Sequence, residues 1–235
     1  MKVEIWSDIA CPWCYVGKRR FEAALARFAH RDQVEVEWKS FELDPGAVSA
    51  ETAEQSRYAD RLARKYSIST ARSELMLDQM TQAAAGVGLE YHFEKAVAAN
   101  TFGAHQLIHL ALEHGLQDAM KERLLRAYFT EGVVLGDPAT LVGLAEEVGL
   151  DAGEAERALA EGRFASAVRQ DEAEASELGI TAVPFFVFDR KYGVSGAQPS
   201  EQLLQVLERT WSENRPLTMV PADGGEVCGP TGCAT

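Results

Sequence analysis

The stretch Val3-Glu4-Ile5-Trp6-Ser7-Asp8-Ile9-Ala10-Cys11-Pro12-Trp13-Cys14 decides the reading of this chain. Residues 2 to 8 alternate as a strand does. From Cys11 to Ala29, Phe21, Leu25 and Phe28 recur at helical spacing with Ala24 between them, so a helix opens at the first cysteine. The two cysteines therefore sit three positions apart at a strand-to-helix junction, where their thiols form a dithiol that can open and close. A thiolate is the attacking species in disulfide exchange. Unpaired backbone N–H groups and the positive end of the helix dipole favour a negative sulfur at Cys11. Pro12 suits the first helical position, where no amide bond is lost. Cys14, one turn further in, is expected to be more buried and less acidic. Cys11 is then the thiol that attacks, and Cys14 the one that resolves the mixed disulfide.

Outward from this motif, residues 33 to 42 alternate. Val34, Val36 and Trp38 face one way and Glu35, Glu37 and Lys39 the other, as in a half-buried strand. Strand, helix and strand in this order predict a parallel pair with a right-handed crossover. From about Asp44, good helix formers dominate for over a hundred residues. Gly86-Val87-Gly88, Gly115 and Gly149 are stops and Asp137-Pro138 a start, which divide the stretch into six or seven helices. Strand character returns at Pro184 to Phe188, turns at Asp189-Arg190-Lys191 and resumes from Tyr192 to Ala197 as a hairpin. A last helix after Pro199 carries Leu203, Leu207 and Trp211. The order is β-α-β, a helical block, then β-β-α. Without the block this is the thioredoxin topology, so the fold class is α/β: a thioredoxin-like fold with a large all-helical insertion. The domains expected are 1–44 with 179–214 as the thioredoxin-like part, 45–178 as the helical insertion, and 215–235 as a flexible C-terminal tail.

Composition narrows the function. The net charge is −13, which repels nucleic acid and anionic membranes as partners. No apolar run approaches the ~20 residues of a membrane span. Met1 leads straight into a strand, with no basic segment or cleavage site before it, so a cytoplasmic location is expected. Paired cysteines there suggest redox or metal chemistry rather than staples. A zinc knuckle would need the second pair, Cys228 and Cys233, as further ligands. Such knuckles sit on tight turns rather than at a strand-to-helix junction with proline between the cysteines, so no metal is expected. His105 and His109, with Glu113 a turn on, share a helix face but lack further ligands and an open cleft. Lys18, Arg19 and Arg20 are expected to form a solvated helix face whose effect on the dithiol is screened.

Thr181-Ala182-Val183-Pro184 precedes the returning strand. Together with Cys11-Pro12-Trp13-Cys14 and the helical insertion it resembles the DsbA-like branch of the thioredoxin superfamily, and within it the FrnE-type proteins. Ile5 to Gly17, Asn100-Thr101-Phe102-Gly103-Ala104-His105 and Gly179 to Phe186 carry the resemblance, which extends over residues 1 to about 214. It implies a cis peptide at Val183-Pro184 packed beside the dithiol. Val183 would then turn its backbone toward an incoming chain, which could pair with it as an added strand. Catalytic residues would be Cys11, Cys14 and Pro184. Trp13, Val183, Asn100 and His105 would contact substrate. The tail segment Cys228-Gly229-Pro230-Thr231-Gly232-Cys233 allows a local disulfide, and FrnE-type proteins resemble this chain in carrying such a pair. From Arg215 to Cys228 a flexible chain spans about 20 Å, which is comparable to the radius of a body this size. A redox relay between Cys228/Cys233 and Cys11/Cys14 follows as an expectation.

The expected activity is that of a protein thiol–disulfide oxidoreductase, with isomerisation within its reach. It would act on cysteine-containing polypeptides or small disulfides. No cofactor is expected beyond the redox-active pair, with glutathione a candidate redox partner. The alternative is a glutathione-dependent isomerase or kappa-class glutathione transferase, which resembles the same architecture. Cys14 discriminates between the two, because a conjugating site has no use for a resolving thiol.

Overall fold

The computed structural model describes residues 1–47, 57–213, 227–229 and 232–234. The chain opens with β1 (Lys2–Ser7), α1 (Pro12–Arg27) and β2 (Glu35–Ser40). Seven α-helices follow among the described residues: α2 (Tyr58–Tyr66), α3 (Thr70–Ala85), α4 (Phe102–Glu113), α5 (Gln117–Arg126), α6 (Pro138–Glu147), α7 (Ala152–Glu161) and α8 (Ala165–Glu177). The chain returns to the sheet as β3 (Phe185–Phe188) and β4 (Tyr192–Ser195), then closes with α9 (Ser200–Glu213). The sheet order is β2-β1-β3-β4, with β1 parallel to β2 and antiparallel to β3. This is a mixed α/β sheet of the thioredoxin type, with the helical insertion between β2 and β3. The caps follow the sequence. The Asp137 side chain accepts from Thr140 N at the start of α6, ahead of Pro138, and Ser69 and Asp151 do the same for α3 and α7.

β1 lies at the centre and is buried on both faces. Val3 and Ile5 join the main core with Phe21 of α1, Phe28 at its C-cap, and Leu203 and Leu207 of α9. Trp6 packs on the opposite face with Ala175, Ile180 and Val187 under α8, and its Nε1 donates to Asp171 O at 2.9 Å.

Two expectations change here. β2 is half-buried with Glu35 exposed, but the rest of its charged side is not freely solvated: Lys39 Nζ is 3.0 Å from Asp171 of α8 and 3.1 Å from Glu37. β2 is also an edge strand, and helical side chains satisfy its outer backbone. Gln117 accepts from Trp38 N and donates to Trp38 O, both at 2.9 Å, while Asp171 accepts from Ser40 N at 2.8 Å. The insertion thereby closes an edge that would otherwise be open to pairing. Nor is Lys18 on a solvated face. It is buried, with Nζ 3.1 Å from both Asp118 and Glu122 of α5, and Arg19 pairs with Glu122 beside it. Arg20 donates to Ala197 O. These cations fasten α1 to its neighbours.

Candidate active site

The site begins where β1 runs out. After Ser7 the turn Asp8-Ile9-Ala10 delivers Cys11 to the N-cap of α1 in an extended conformation, and Pro12 takes the first helical position. No side chain caps this helix, so its first amides and dipole point at the Cys11 region. Both cysteines are free thiols. Cys11 retains 4% exposure and Cys14 none. Burial pushes the Cys14 thiol well above its ordinary pKa, and the hydrogen bond and charge of Cys11 push it the same way.

Across from the helix start, the Val183–Pro184 peptide is cis. Val183 O accepts from Cys11 Sγ at 3.6 Å. Pro184 is held against α1 at Gly17, where an added Cβ would lie 2.9 Å from Pro184 Cγ. A residue with any side chain at 17 would push the proline off the helix.

Cys11 and Val183 sit on the wall of a cavity of about 720 Å³, together with Pro12 and Trp13. Tyr58, Leu62, Met76 and Met80 of the helical insertion supply its apolar side, and Lys65 lines it as well. Tyr91 ties insertion to motif by donating from its hydroxyl to Pro12 O at 2.6 Å. Burial raises the phenols of Tyr58, on the cavity wall, and of Tyr91, so neither tyrosine is charged.

Asn100 and His105 are not in this cleft, contrary to expectation. Asn100 lines a second cavity, of about 380 Å³, with Phe102 and Gln106. Its side chain braces the chain locally: Oδ1 accepts from Phe102 N at 2.9 Å, and Nδ2 donates to Pro45 O and Ala47 O. His105 is wholly buried, because α4 runs through the middle of the insertion with neighbours on every side. Its Nε2 lies 3.3 Å from Asp8 Oδ1, and its Nδ1 has no partner. His109 is held between Ser40 Oγ and Asp171 Oδ2, each 3.1 Å from Nε2. Glu113 pairs with Arg163 at 2.6 Å instead of joining the histidines. Among the described residues no group of three His, Cys, Asp or Glu could hold a metal ion. In the tail, β5 (Val227–Gly229) pairs antiparallel with β6 (Gly232–Ala234), with Cys228 opposite Cys233.

Two buried groups near the dithiol, Asp8 and Lys121, escaped the sequence reading. Asp8 lines the main cavity, and although burial works against its charge, His105, Leu43 N and Lys121 hold it below the usual carboxylate range. His105 is its partner. Lys121 is fully enclosed, with Nζ donating to Ser7 O at 3.3 Å. A signal for Lys121 was present: it falls on the stripe of Gln117, Met120, Leu124 and Leu125 that α5 buries.

The comparisons with known proteins agree with this geometry. The family model described as DSBA-like thioredoxin domain matches residues 2–208. The crystal structure of the probable DsbA oxidoreductase SCO1869 from Streptomyces coelicolor is 47% identical, with a TM-score of 0.86 over 100% of this chain and 99% of that one. The cytosolic disulfide reductase DsbM from Pseudomonas aeruginosa shares the fold at 17% identity, with a TM-score of 0.63 over 91% of this chain and 100% of its own. The Bacillus subtilis (strain 168) protein YwbO, described as uncharacterized, is 31% identical over 79% of this chain and 85% of its own. The chain belongs to the DSBA-like thioredoxin domain family, that of the DsbA-like disulfide oxidoreductases.

Proposed function

We propose that this chain is a thiol–disulfide oxidoreductase that works through Cys11 and Cys14, with Pro184 shaping the substrate side. One observation carries the reading. Cys11 Sγ stands at the capping position of α1, 3.6 Å from Val183 O on the wall of an open apolar cavity, while Cys14 is sealed behind it. The Cys11 sulfur, on the cavity wall, attacks a substrate disulfide and forms a mixed disulfide as one substrate thiol leaves. Cys14 then displaces the second thiol and closes the Cys11–Cys14 bond. The two electrons pass from the dithiol to the substrate, and the reverse sequence oxidises a substrate dithiol. Val183 offers its backbone to an extended chain, and the apolar cavity beside Trp13 accepts a flanking side chain. The substrates are thus cysteine-containing polypeptides or small disulfides, with glutathione a candidate partner in the same exchange. The cytoplasm is the proposed location, and among the described residues no helix is long and apolar enough to cross a membrane.

The test is insulin reduction. Cys11→Ser should lose at least 100-fold in rate, and Cys14→Ser should accumulate a mixed disulfide on Cys11. A wild-type protein that conjugates glutathione to a chromogenic electrophile but leaves insulin oxidised would reverse the reading in favour of the glutathione-dependent alternative.

The tail pair is proposed to exchange with this site. Cys228 and Cys233 are backbone register partners in a short antiparallel ladder, which supports local pairing. Under redox buffer, Cys14→Ser should trap an intramolecular disulfide between Cys11 and a tail cysteine. If no such adduct forms at any buffer poise, the relay is wrong.

A further inference from the structure

Helix α2 runs along the cavity that Cys11 faces, and it lines that cavity with Tyr58, Arg61, Leu62, Lys65 and Tyr66. These positions recur at three and four residues, so they share one helical face. On a helix that only covers a core, such a stripe is apolar. Here two of its positions carry cations, on the wall of the same cavity as Cys11 and Val183.

The two cations are held differently. Arg61 is half-buried. Its Nη2 donates to Ala96 O at 2.7 Å, and its guanidinium lies 5.0 Å from the ring centroid of Tyr58, which fixes the charge on the cavity wall. Lys65, one turn on, is exposed. Its Nζ reaches Leu43 O, a neutral acceptor, at 3.5 Å, and among the described residues no carboxylate pairs with it. Two carboxylates line the same cavity. Asp8 is almost wholly enclosed and is committed to Leu43 N at 2.8 Å and to His105 Nε2 at 3.3 Å. Asp44 is exposed and forms no ion pair with Lys65. The chain as a whole carries a net charge of −13, so an anionic substrate meets a repulsive general field that Arg61 and Lys65 offset locally.

We propose that α2 selects disulfides that carry a carboxylate close to the reacting sulfur. The proposal rests on the dithiol reading above and names the substrate class of that site. As Cys11 Sγ attacks the disulfide, the carboxylate lies against Arg61 and Lys65. Tyr58, Leu62 and Met80 on the same wall exclude water and strengthen the attraction. The substrate S–S bond breaks, the Cys11–Cys14 bond forms, and two electrons and the two thiol protons leave with two carboxylate-bearing thiols. Arg61 and Lys65 meet the substrate away from the sulfurs, so they determine specificity and leave the exchange chemistry to the dithiol. The carboxylate has two sources: the acid group of a small disulfide, or an acidic side chain beside a cysteine in a polypeptide.

Three small disulfides separate charge from reactivity. 3,3′-Dithiodipropionate carries carboxylates, 2-hydroxyethyl disulfide is neutral, and cystamine carries ammonium groups. Each is mixed in excess with the reduced protein at pH 7 and low salt. Formation of the Cys11–Cys14 disulfide is followed by acid quenching, alkylation of the remaining thiols and peptide mass spectrometry. Wild type and variant are compared on one disulfide at a time, so intrinsic reactivity cancels. The same comparison on the homodisulfides of acetylated, amidated Ala-Cys-Glu and Ala-Cys-Gln tests the polypeptide source. Lys65→Gln should slow at least one carboxylate-bearing disulfide about three- to fivefold, the range of a partly exposed ion pair. It should change hydroxyethyl disulfide and the Gln peptide by less than 1.5-fold and leave cystamine unchanged or faster. Slowing of dithiodipropionate, of the Glu peptide or of both identifies the source. Added salt should shrink the deficit. Lys95→Gln, an exposed change outside the cavity, should leave every rate within 1.5-fold. Equal slowing of all the disulfides by Lys65→Gln, less than 1.5-fold slowing of both carboxylate-bearing ones, or the same pattern from Lys95→Gln would overturn the proposal. Failure of the wild-type protein to form the Cys11–Cys14 bond with any disulfide would instead sink the dithiol reading.

Discussion

At the scale of single residues, position along α1 separates the two sulfurs. Cys11 caps the helix on the cavity wall, and Cys14 lies a turn inside it, fully enclosed, where burial and its neighbour Cys11 raise its thiol. Gly17 extends the same logic by one turn, because Pro184 occupies the space its side chain would take. Gly17→Ala should destabilise the fold by about 1–3 kcal/mol through overpacking, and it should lower the rate of insulin reduction as Pro184 moves away from Cys11. Urea unfolding and the insulin assay on the same preparation check both effects. Lys121 gives a prediction of opposite sign. Its folded value of about 8 lies below its ordinary 10.5. Below pH 8 both folded and unfolded chains hold the proton, and the folded state bears a penalty of about 3 kcal/mol. From pH 8 to about 10.5 the folded lysine gives up its proton first, so the penalty fades. Lys121→Met should therefore be more stable than wild type at pH 7, with the gap narrowing toward pH 10. Urea midpoints that favour the wild type at pH 7 would contradict this.

At the scale of elements, α8 and α5 do more than fill an insertion, since they close the edge of the sheet. Asp171 accepts from Ser40 N at 2.8 Å, Lys39 at 3.0 Å and His109 at 3.1 Å while lying almost wholly buried. Burial alone would raise its pKa, but those three partners hold it below the usual carboxylate range. A carboxyl with a depressed folded value adds stability above its unfolded value of about 3.9, and loses it as pH falls through the folded one. Asp171→Ala should cost about 1–3 kcal/mol at pH 7, because it leaves the buried Ser40 amide without its acceptor, while Lys39 keeps Glu37 and Glu174. In acid titrations the variant should show a shallower loss of stability below pH 4 than wild type. Equal acid limbs would detach Asp171 from the account. The sequence shows the elements themselves well, since period-2 alternation, Asp137-Pro138 and the glycines mark their ends locally. It does not show what covers β2. Gln117 meets Trp38 and Asp171 meets Ser40 across 79 and 131 residues, and no local pattern records such pairings. Lys18 was hidden for a related reason, since its carboxylate partners Asp118 and Glu122 come from α5, about a hundred residues away.

At the scale of the molecule, the thioredoxin-type sheet fixes the dithiol and the helical insertion builds the room around it. Tyr91 reaches from the insertion to the first turn of α1, and Tyr58, Leu62 and Met80 wall the cavity that Cys11 faces. Cys11-Pro12-Trp13-Cys14 and Val183-Pro184 were legible because both are short and lie at strand ends. Asn100 and His105 were misplaced because α4 passes behind the site rather than along its mouth. All of this depends on an accessible Cys11 beside a sealed Cys14. Timed alkylation of the reduced protein with iodoacetamide, read site by site by mass spectrometry, measures that directly. Cys11 should be modified at least 50-fold faster than Cys14 at pH 7. Equal rates, or faster modification of Cys14, would contradict the account.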